Sequence, residues 1–382
     1  MNILLLNHAQ AGEFRGGDAV QIRQTAQWLA RFGHRVVAHQ SNNPDCRGFD
    51  LVHVFNCRHP QAFQGQIQAA CQQGIPVVVS PIWIPLAEAL WGSRTAMAVL
   101  KQACEQRDQG HVNHQFAHLR QRSMVLDLAG DRHDYPSGNA TVQQSYRQIG
   151  AALQHAAALL PNSWLELQSA RRDLLWHGSC FGVAPYGVDP GPFLNADPEP
   201  FRRWSGIEGP FVLQAGRVEP AKNPAMLLWA LKDTGLPVVL AGATDIWPEY
   251  VDLCRAIGGD RLTLVEHLPP ELLASAYAAA SCHALPSWCE TCGLVSLEAA
   301  LSGTPVVGST AGHEVEYLQS DAWLADPADP SAIRTAVDQA IQAGRDSERP
   351  RRLRQRILEQ FNWMRTAAAT EEIYRRVMGV KN

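Results

Sequence analysis

Two glutamates, Glu290 and Glu298, occupy a segment at 285–307 that the sequence pattern divides into a strand, a short loop, a helix and a second strand. Glu290 falls in the loop, and Glu298 falls inside the helix. The amides that precede and open this helix would form an anion site, because the first N–H groups of a helix have no partner within it. They belong to Thr291, Cys292, Gly293 and Leu294. Two carboxylates beside such a site can each bind a diol, so the segment predicts a phosphorylated, hydroxyl-rich ligand.

A second candidate segment runs over 214–223 and follows a strongly apolar run. It places Arg217 and Lys222 in a loop at the carboxyl end of a predicted strand, the edge at which open α/β sheets bind ligands. Arginine offers a planar fork of donors and lysine a compact charge, and a departing diphosphate needs both kinds of neutralisation. Paired with the segment at 290–298, this loop predicts phosphate binding.

Short apolar runs alternate with helical patterns along the chain, which is typical of βαβ units and parallel sheets. Strands are predicted in the first half at 3–6, 36–38, 51–55, 76–80 and 158–160. Strands are predicted in the second half at 211–214, 237–241, 262–265, 282–285 and 305–307. A run of turn-forming residues at 184–192 is predicted to link the two series. The expected fold class is therefore α/β with two Rossmann-like domains.

Residues 86–156 interrupt this alternation and are predicted to form a helical insertion on the first domain. The candidate functional side chains of the insertion are Trp91, His111, His114, His118, Arg120 and Arg122. The three histidines share a helical face that could bind a metal, although such a face more often belongs to a solvated or acceptor-facing helix. The aromatic ring and the arginines suit a sugar ring and a phosphate. The open alternative is that the insertion only packs on the domain or forms a dimer contact.

The composition describes a globular protein, with 46% hydrophobic and 18% charged residues in a chain of 382. A net charge of −4 does not favour a nucleic-acid partner. The first half carries 11 of the 14 histidines, which reflects either ordinary surface variation or an anionic acceptor or membrane surface. The nine scattered cysteines are expected to be free thiols, and neither a secretory leader nor a long apolar run is recognisable. We therefore expect a cytoplasmic protein, with peripheral contact at the inner membrane face left open.

The loop at 214–223 and the segment at 285–307 resemble the retaining glycosyltransferases of GT-B fold, in the large family that contains bacterial mannosyl- and glucosyltransferases and sucrose synthases. That family carries a Gly-Arg-x-x-x-x-Lys loop and a Glu-x7-Glu segment. The matching residues here are Gly216, Arg217 and Lys222 in the loop, and Glu290 and Glu298 in the segment. The resemblance is strong over 211–316. Looser matches are Gly16-Gly17, Pro161-Asn162-Ser163, Gly187-Val188-Asp189 and Phe361-Asn362-Trp363.

The resemblance implies a GT-B fold, in which two Rossmann-like domains face each other across a cleft and a C-terminal helix crosses back to the first domain. The first domain would comprise 1–190, including the insertion, together with the crossover helix at about 360–382. The second domain, at 191–359, would bind the nucleotide sugar.

The resemblance also implies roles for single residues of the second domain. Arg217 and Lys222 would hold the diphosphate, and Glu298 would hold the ribose hydroxyls. Glu290 and the amides that follow it would hold the donor sugar. Arg217, Lys222 and Glu290 are accordingly the predicted catalytic residues.

Two further donor contacts and one departure follow from the same resemblance. The backbone near His267 would face the base, and Gly16 and Gly17 would let the first loop approach the phosphates and the acceptor. Many family members place a histidine after the strand that here ends at Ser80, where it contacts the donor sugar. Ile82 occupies that position in this chain.

The predicted function is sugar transfer with retention at the anomeric carbon, from a nucleoside-diphosphate sugar to a hydroxyl of a carbohydrate or lipid-linked acceptor. A UDP-sugar is favoured as donor over a GDP-sugar, and no metal or other cofactor is expected. Two alternatives stay open: a GT-B sugar-nucleotide epimerase or phosphorylase, and a non-catalytic protein that binds a nucleotide sugar for another transferase.

Overall fold

The computed structural model describes residues 1–13, 16–106, 116 and 140–379. The chain divides into two compact units. The first comprises Met1–Pro85, Asn139–Asp189 and Glu359–Asn382, and the second comprises Leu86–Gly138 and Pro190–Leu358. The division after Asp189 lies one residue from the linker boundary expected from the sequence.

The strands of the described residues fall into two series. In the first unit they are β1 (Asn2–Asn7), β2 (Arg35–Gln40), β3 (Leu51–Phe55), β4 (Val77–Ser80) and β5 (Ala158–Leu159). In the second unit they are β6 (Val212–Ala215), β7 (Val238–Ala241), β8 (Leu262–Val265), β9 (Cys282–Ala284), β10 (Val306–Ser309) and β11 (Trp323–Ala325). Each of the ten predicted strands is confirmed, and β11 was not predicted.

The helices of the described residues alternate with these strands. The first seven along the chain are α1 (Gly17–Arg31), α2 (Pro60–Gln72), α3 (Leu86–Gln106), α4 (Ala140–Leu153), α5 (Trp164–Leu174), α6 (Glu199–Ser205) and α7 (Pro224–Ala230). The remainder are α8 (Pro248–Gly258), α9 (Pro270–Ala279), α10 (Leu294–Leu301), α11 (Val315–Leu318), α12 (Pro330–Ala343), α13 (Glu348–Gln360) and α14 (Trp363–Val377). In this part of the chain, no helix has both the length and the apolar character needed to cross a membrane.

The first unit contains a parallel sheet with the strand order β2-β1-β3-β4-β5. Strands β3 and β4 are buried along their whole length, as expected for a parallel sheet that helices cover on both faces. The C-terminal helix α14 belongs to this unit and packs against α1. Its Tyr374 hydroxyl lies 2.6 Å from Nδ1 of buried His53 on β3. The helix therefore returns to the first unit.

The second unit contains a parallel sheet with the strand order β11-β10-β9-β6-β7-β8. Counted from the first strand of this unit, the order is that of the doubly wound dinucleotide-binding folds. The core lies between the sheet and its helices, among residues of β6, β7, α7, α8 and α12. Both units are thus Rossmann-like.

The predicted helical insertion at 86–156 is divided between the two units and does not belong to the first alone. Helix α4 lies in the first unit, where it packs against α2 and α5, but α3 belongs to the second unit. Val99, Leu100 and Ala103 on α3 are buried in the core of the second unit, in a cluster that includes Leu227 and Leu228 of α7. The apolar face of α3 is stabilised by this burial. Assigning the whole insertion to the first domain was therefore wrong.

Gly187 lies where the chain passes beneath the start of α14. A Cβ at this position would overlap the backbone of Asn362 and Trp363, and the amide of the next residue, Val188, donates to the carbonyl of Phe361 at 2.9 Å. We expect Gly187→Ala to reduce the free energy of unfolding by about 1–3 kcal/mol, because the overlap must be relieved by moving backbone. Gly209→Ala is the control, since a Cβ there meets nothing within 4 Å. Equal urea midpoints for the two variants would contradict this expectation.

Candidate active site

The candidate site of the second unit lies at the carboxyl ends of β6 and β9, two neighbouring strands of the sheet. The strand order reverses between them, because the chain continues from β6 towards one edge and from β9 towards the other. Open α/β sheets bind ligands at such a switch point. The loop after β6 carries Arg217 and Lys222, and the loop after β9 carries Glu290. The topology thus brings the two predicted segments together.

Lys222 and Glu290 form an ion pair between these loops, and their side chains are only 20% and 10% exposed. The Ser287 hydroxyl donates to Oε1 of the same glutamate at 2.9 Å. Burial alone would lower the pKa of Lys222, but the neighbouring Glu290 raises it above its usual value. Lys222 is therefore positively charged at neutral pH. A cation fixed in a largely buried position is suited to neutralise a phosphate group.

Backbone contacts fix the two loops to one another. The Trp288 amide donates to the Ala221 carbonyl at 2.9 Å, and the Asn223 side-chain amide donates to the Pro286 carbonyl at 3.0 Å. Asn223 itself adopts a left-handed φ of 59°, which asparagine tolerates better than most residues. The ion pair is thus held by a rigid frame, and its geometry does not depend on the two charged side chains alone.

Helix α10 begins beside Glu290 in the chain. Gly293 stands before its first residue with a left-handed φ of 65°, and among the described residues no side chain caps the helix. The predicted anion-binding amides, those of Thr291, Cys292, Gly293 and Leu294, therefore lie in the turn that opens α10. The positive end of the helix dipole therefore lies at the loop that carries Glu290.

Glu298 lies in the middle of α10 and is partly exposed. The Tyr277 hydroxyl, which is buried, donates to Oε2 of Glu298 at 3.1 Å. Burial raises the pKa of Glu298 to about 7, against the opposing effect of the Tyr277 hydrogen bond. The carboxyl group thus changes its charge near neutral pH.

Glu314 is a third carboxylic residue at this edge of the sheet, and the sequence analysis missed it. It is fully buried, its Oε1 accepts from the Ser309 amide at 2.8 Å, and its Oε2 has no partner among the described residues. A Cβ on Gly293 would overlap that oxygen. Burial, followed by the charge of Glu290, raises the pKa of Glu314 well above its usual value. The signal available in the sequence was an acidic residue shortly after β10, which neighbours β9.

Arg217 and His267 are the remaining predicted residues of the second unit, and the charge of Arg217 acts on Lys222. Arg217 is 46% exposed, and its guanidinium donates to Glu219 at 2.8 and 3.1 Å. His267 is exposed and follows β8, which β7 separates from β6. Both residues are at the carboxyl edge of the sheet, but neither takes part in the Lys222–Glu290 contact.

Gly16 and Gly17 lie in the first unit, at the start of α1. Gly16 has a φ of −105°, which other residues also adopt, but a Cβ there would lie 2.7 Å from Oδ1 of Asp18. A side chain at this position would therefore require the Asp18 carboxylate to shift. The predicted contacts of His111, His114, His118, Arg120 and Arg122 fall on positions outside the described residues, and the side chain of Trp91 does so too.

Ile82 is buried and adopts a left-handed φ of 48°, a strained conformation for a β-branched residue. The carboxyl group of Glu166, which is fully buried, accepts from the Trp83 amide at 2.9 Å and from the Asn162 amide at 2.7 Å. These bonds hold the loop after β4 in its turn. The side chain of Ile82 offers no polar group for catalysis.

The second unit thus combines a buried cation, a helix N-terminus and two acidic side chains that can accept from hydroxyls. The cation and the amides suit a diphosphate, and Glu298 and Glu290 suit a diol or a sugar. The arrangement can bind a sugar nucleotide and stabilise negative charge that develops on its phosphates.

Comparison with known families agrees with this geometry. Residues 199–360 match the family model described as glycosyl transferases group 1. A D-inositol 3-phosphate glycosyltransferase of Acidothermus cellulolyticus is 28% identical over 253 residues, which are 60% of this chain and 56% of the relative. One of Corynebacterium diphtheriae is 30% identical over 173 residues, 42% of this chain and 40% of the relative. The chain thus spans about half the length of the curated relatives it matches.

Solved structures resemble the whole chain. A sucrose-phosphate synthase from Thermosynechococcus elongatus superposes with a TM-score of 0.74 at 19% identity and covers 100% of both chains. Anabaena HepE in complex with UDP and glucose superposes with a TM-score of 0.71 at 16% identity and covers 98% of this chain and 100% of HepE. At these identities the likeness establishes a shared fold.

Proposed function

We propose, from the premise that this chain belongs to the glycosyltransferases of GT-B fold, that it transfers a sugar from a nucleoside-diphosphate sugar to a hydroxyl group with retention at the anomeric carbon. The observation that carries the proposal is the Lys222–Glu290 pair at the switch point of the second sheet, beside the opening turn of α10. The buried cation and the open amides would bind the diphosphate, and Glu290 would bind the sugar attached to it.

The proposed chemistry is the one that the resemblance to the retaining glycosyltransferases implies. The bond between the anomeric carbon and the diphosphate oxygen breaks, a bond from that carbon to the acceptor oxygen forms, and the leaving phosphate oxygen takes the acceptor proton. No protein base is then required. Lys222, Arg217 and the amides of α10 stabilise the charge that grows on the diphosphate, and this stabilisation is the principal catalytic contribution.

A UDP-sugar is the favoured donor, with a GDP-sugar as the second choice, and the acceptor is a carbohydrate or lipid-linked hydroxyl compound. HepE, which shares the fold, is described in complex with UDP and glucose, and other relatives are named for glycosyl transfer to D-inositol 3-phosphate. A cytoplasmic setting belongs to the same proposal and is supported by nine free cysteines. Peripheral contact with the inner membrane face would follow from a lipid-linked acceptor.

The first experiment is a thermal-shift panel of UDP-, GDP- and ADP-sugars at equal concentration. We expect one nucleotide series to raise the melting temperature, since a ligand that binds only the folded protein stabilises it. Glu298→Ala, measured beside the wild type, should lose most of this shift. A flat panel for all three series would contradict the proposal.

Activity is expected to be independent of divalent ions. Lys222, Arg217 and the helix amides supply the positive charge at the diphosphate, and no Asp-x-Asp pattern is present in the sequence to hold a metal there. The measurement is nucleotide release from the donor with and without EDTA. Complete loss in EDTA that manganese or magnesium restores would contradict this expectation and direct attention to the histidines at 111–118.

A further inference from the structure

Three basic residues lie at the carboxyl edge of the first sheet. His8 directly follows β1, and Arg58 and His59 follow β3. The rings of His8 and His59 are in contact, with their centroids 3.9 Å apart and their planes inclined by 36°. His59 also stands immediately before α2, a helix of 13 residues whose first turn no described side chain caps. We call these three residues the basic cluster.

The basic cluster occupies the switch point of the first sheet. In the order β2-β1-β3-β4-β5 the direction of winding reverses between β1 and β3, and sheets with this order bind their ligands there. Asn56, the residue after β3, has a left-handed φ of 64°, a conformation that asparagine tolerates and that turns the chain toward Arg58 and His59.

Neighbouring groups hold Arg58 in position without neutralising it. The Asn56 side-chain oxygen accepts from Nε of Arg58 at 3.0 Å and from its backbone amide at 3.3 Å. Among the described residues, Arg58 forms no ion pair with a carboxylate. The nearby Asp18 carboxylate instead accepts from the side-chain amides of Asn7 and Asn56, at 3.3 and 3.0 Å. The guanidinium is thus oriented by an uncharged partner.

His8 provides a second, independent indication of a ligand. The residue is only 5% exposed, and its Nδ1 is buried without a partner among the described residues. An unpaired polar atom in such a position costs free energy unless a ligand or an ordered water supplies its partner. Burial lowers the pKa of His59, and the nearby His8 and Arg58 lower it further, while Asp18 opposes them. Two carboxyl groups therefore act on the cluster, Asp18 on His59 and the buried Glu166 on Arg58.

We propose that His8, Arg58 and His59 bind the phosphate monoester of the acceptor, a group that offers three acceptor oxygens and a charge near −2. The assignment rests on the proposed function, since it gives the acceptor of that reaction its chemical class. Arg58 and the first turn of α2 contact the phosphate oxygens, and one ring N–H of His8 and one of His59 donate to them. The phosphate then orients the sugar or lipid that carries it, so that a hydroxyl of that molecule is presented for transfer.

The test titrates the full-length protein, labelled with 13C in its histidine rings, with inorganic phosphate near pH 7. Phosphate is expected to shift the ring signals of His8 and His59 and to raise the pKa of His59, because it counters the charge of Arg58. Arg58→Ala should weaken phosphate binding by about tenfold or more, and Arg58→Lys by less. His155→Ala is the control, since exposed His155 precedes β5 and lies at the opposite edge of the sheet.

The outcomes separate the site from the proposed function. Unmoved signals of His8 and His59, or phosphate binding to Arg58→Ala that matches the wild type, would overturn the site. UDP binding is measured in the same samples. If phosphate binds and UDP does not, the proposed function is contradicted and the phosphate site is not. Two probes distinguish the sources of the group: glucose 6-phosphate, and vesicles of phosphatidic acid in phosphatidylcholine. Displacement of phosphate by either supports the site and names the source, whereas displacement by glucose as well, or by neither probe, counts against it.

Discussion

Replacing Lys222 with alanine is expected to lower kcat by about 100- to 1,000-fold, which is the effect of removing one preorganised group that stabilises transition-state charge. Lys222 is mostly buried and is held by Glu290, so its charge acts at short range and in a medium that screens it weakly. The charge on the diphosphate grows as the sugar leaves. Loss of the cation should therefore reduce kcat more than it raises the KM for the donor.

The measurement is the initial rate of nucleotide release over a range of donor concentrations, for Lys222→Ala, Lys222→Arg and the wild type. Lys222→Ala also leaves Glu290 without its partner, which could disturb the loop. The double variant Lys222→Ala/Glu290→Gln removes that uncompensated charge and should be equally slow. A change in KM with kcat preserved would show that Lys222 only binds the ground state.

Replacing Glu298 with alanine is expected to raise the Kd for the nucleoside diphosphate by about 10- to 100-fold, since hydrogen bonds to a charged group contribute about 1.5–3 kcal/mol. Glu298 is partly exposed on α10, and Tyr277 supports it from the buried side. Tyr277→Phe removes only the supporting hydroxyl and should have a smaller effect. Calorimetric titration with the nucleoside diphosphate measures both. An affinity unchanged in Glu298→Ala would exclude the ribose role.

The same residue gives the binding reaction a pH dependence whose sign is fixed. Because the pKa of Glu298 is raised from 4.5 to about 7, the free protein holds this carboxyl mainly protonated at pH 6 and mainly ionised at pH 8. Ribose hydroxyls donate to the ionised form, so affinity should rise between these pH values, by up to about tenfold. Glu298→Gln lacks this titrating carboxyl and serves as the reference. The ratio of the wild-type affinity to the variant affinity at each pH removes the contribution of the nucleotide phosphates, which titrate in both samples.

The sequence predicted the strands well because parallel strands that are buried on both faces appear as short, nearly continuous apolar runs. It also predicted that the loop at 214–223 and the segment at 290–298 belong to one site, although they lie far apart in the chain. The reason is that each follows a predicted strand, and the strands of a parallel sheet present their carboxyl ends at one edge. The ion pair between Lys222 and Glu290 was not predicted. The exception among the described strands is β11, Trp323–Ala325, which was not predicted.

The features that the sequence could not give depend on tertiary contacts. The apolar positions of α3 predict a buried face but do not specify which unit buries it, and the contacts with α7 decide this. Glu314 carries no motif of its own, and only its burial beside Gly293 relates it to the site. The sequence did not predict the basic cluster either, because a tertiary contact and not a motif brings its residues together. His8 and His59 lie 51 positions apart, and the adjacency of β1 and β3 brings them into contact.

The central claim, transfer from a sugar nucleotide with retention, is tested most directly by proton NMR of UDP-α-glucose incubated with the protein without an acceptor, so that water takes the acceptor's place. UDP-galactose and GDP-mannose are run in parallel, because the sugar and base are not fixed. We expect the protein to release the nucleoside diphosphate slowly, and the free sugar to appear first as its α-anomer, before mutarotation. We expect Lys222→Ala to release the nucleoside diphosphate much more slowly. Release of the β-anomer from UDP-α-glucose would contradict retention, and equal release by Lys222→Ala would contradict the role of the ion pair. Binding of a donor without any nucleotide release, with or without acceptors, would identify a sugar-nucleotide-binding protein and contradict the claim of catalysis.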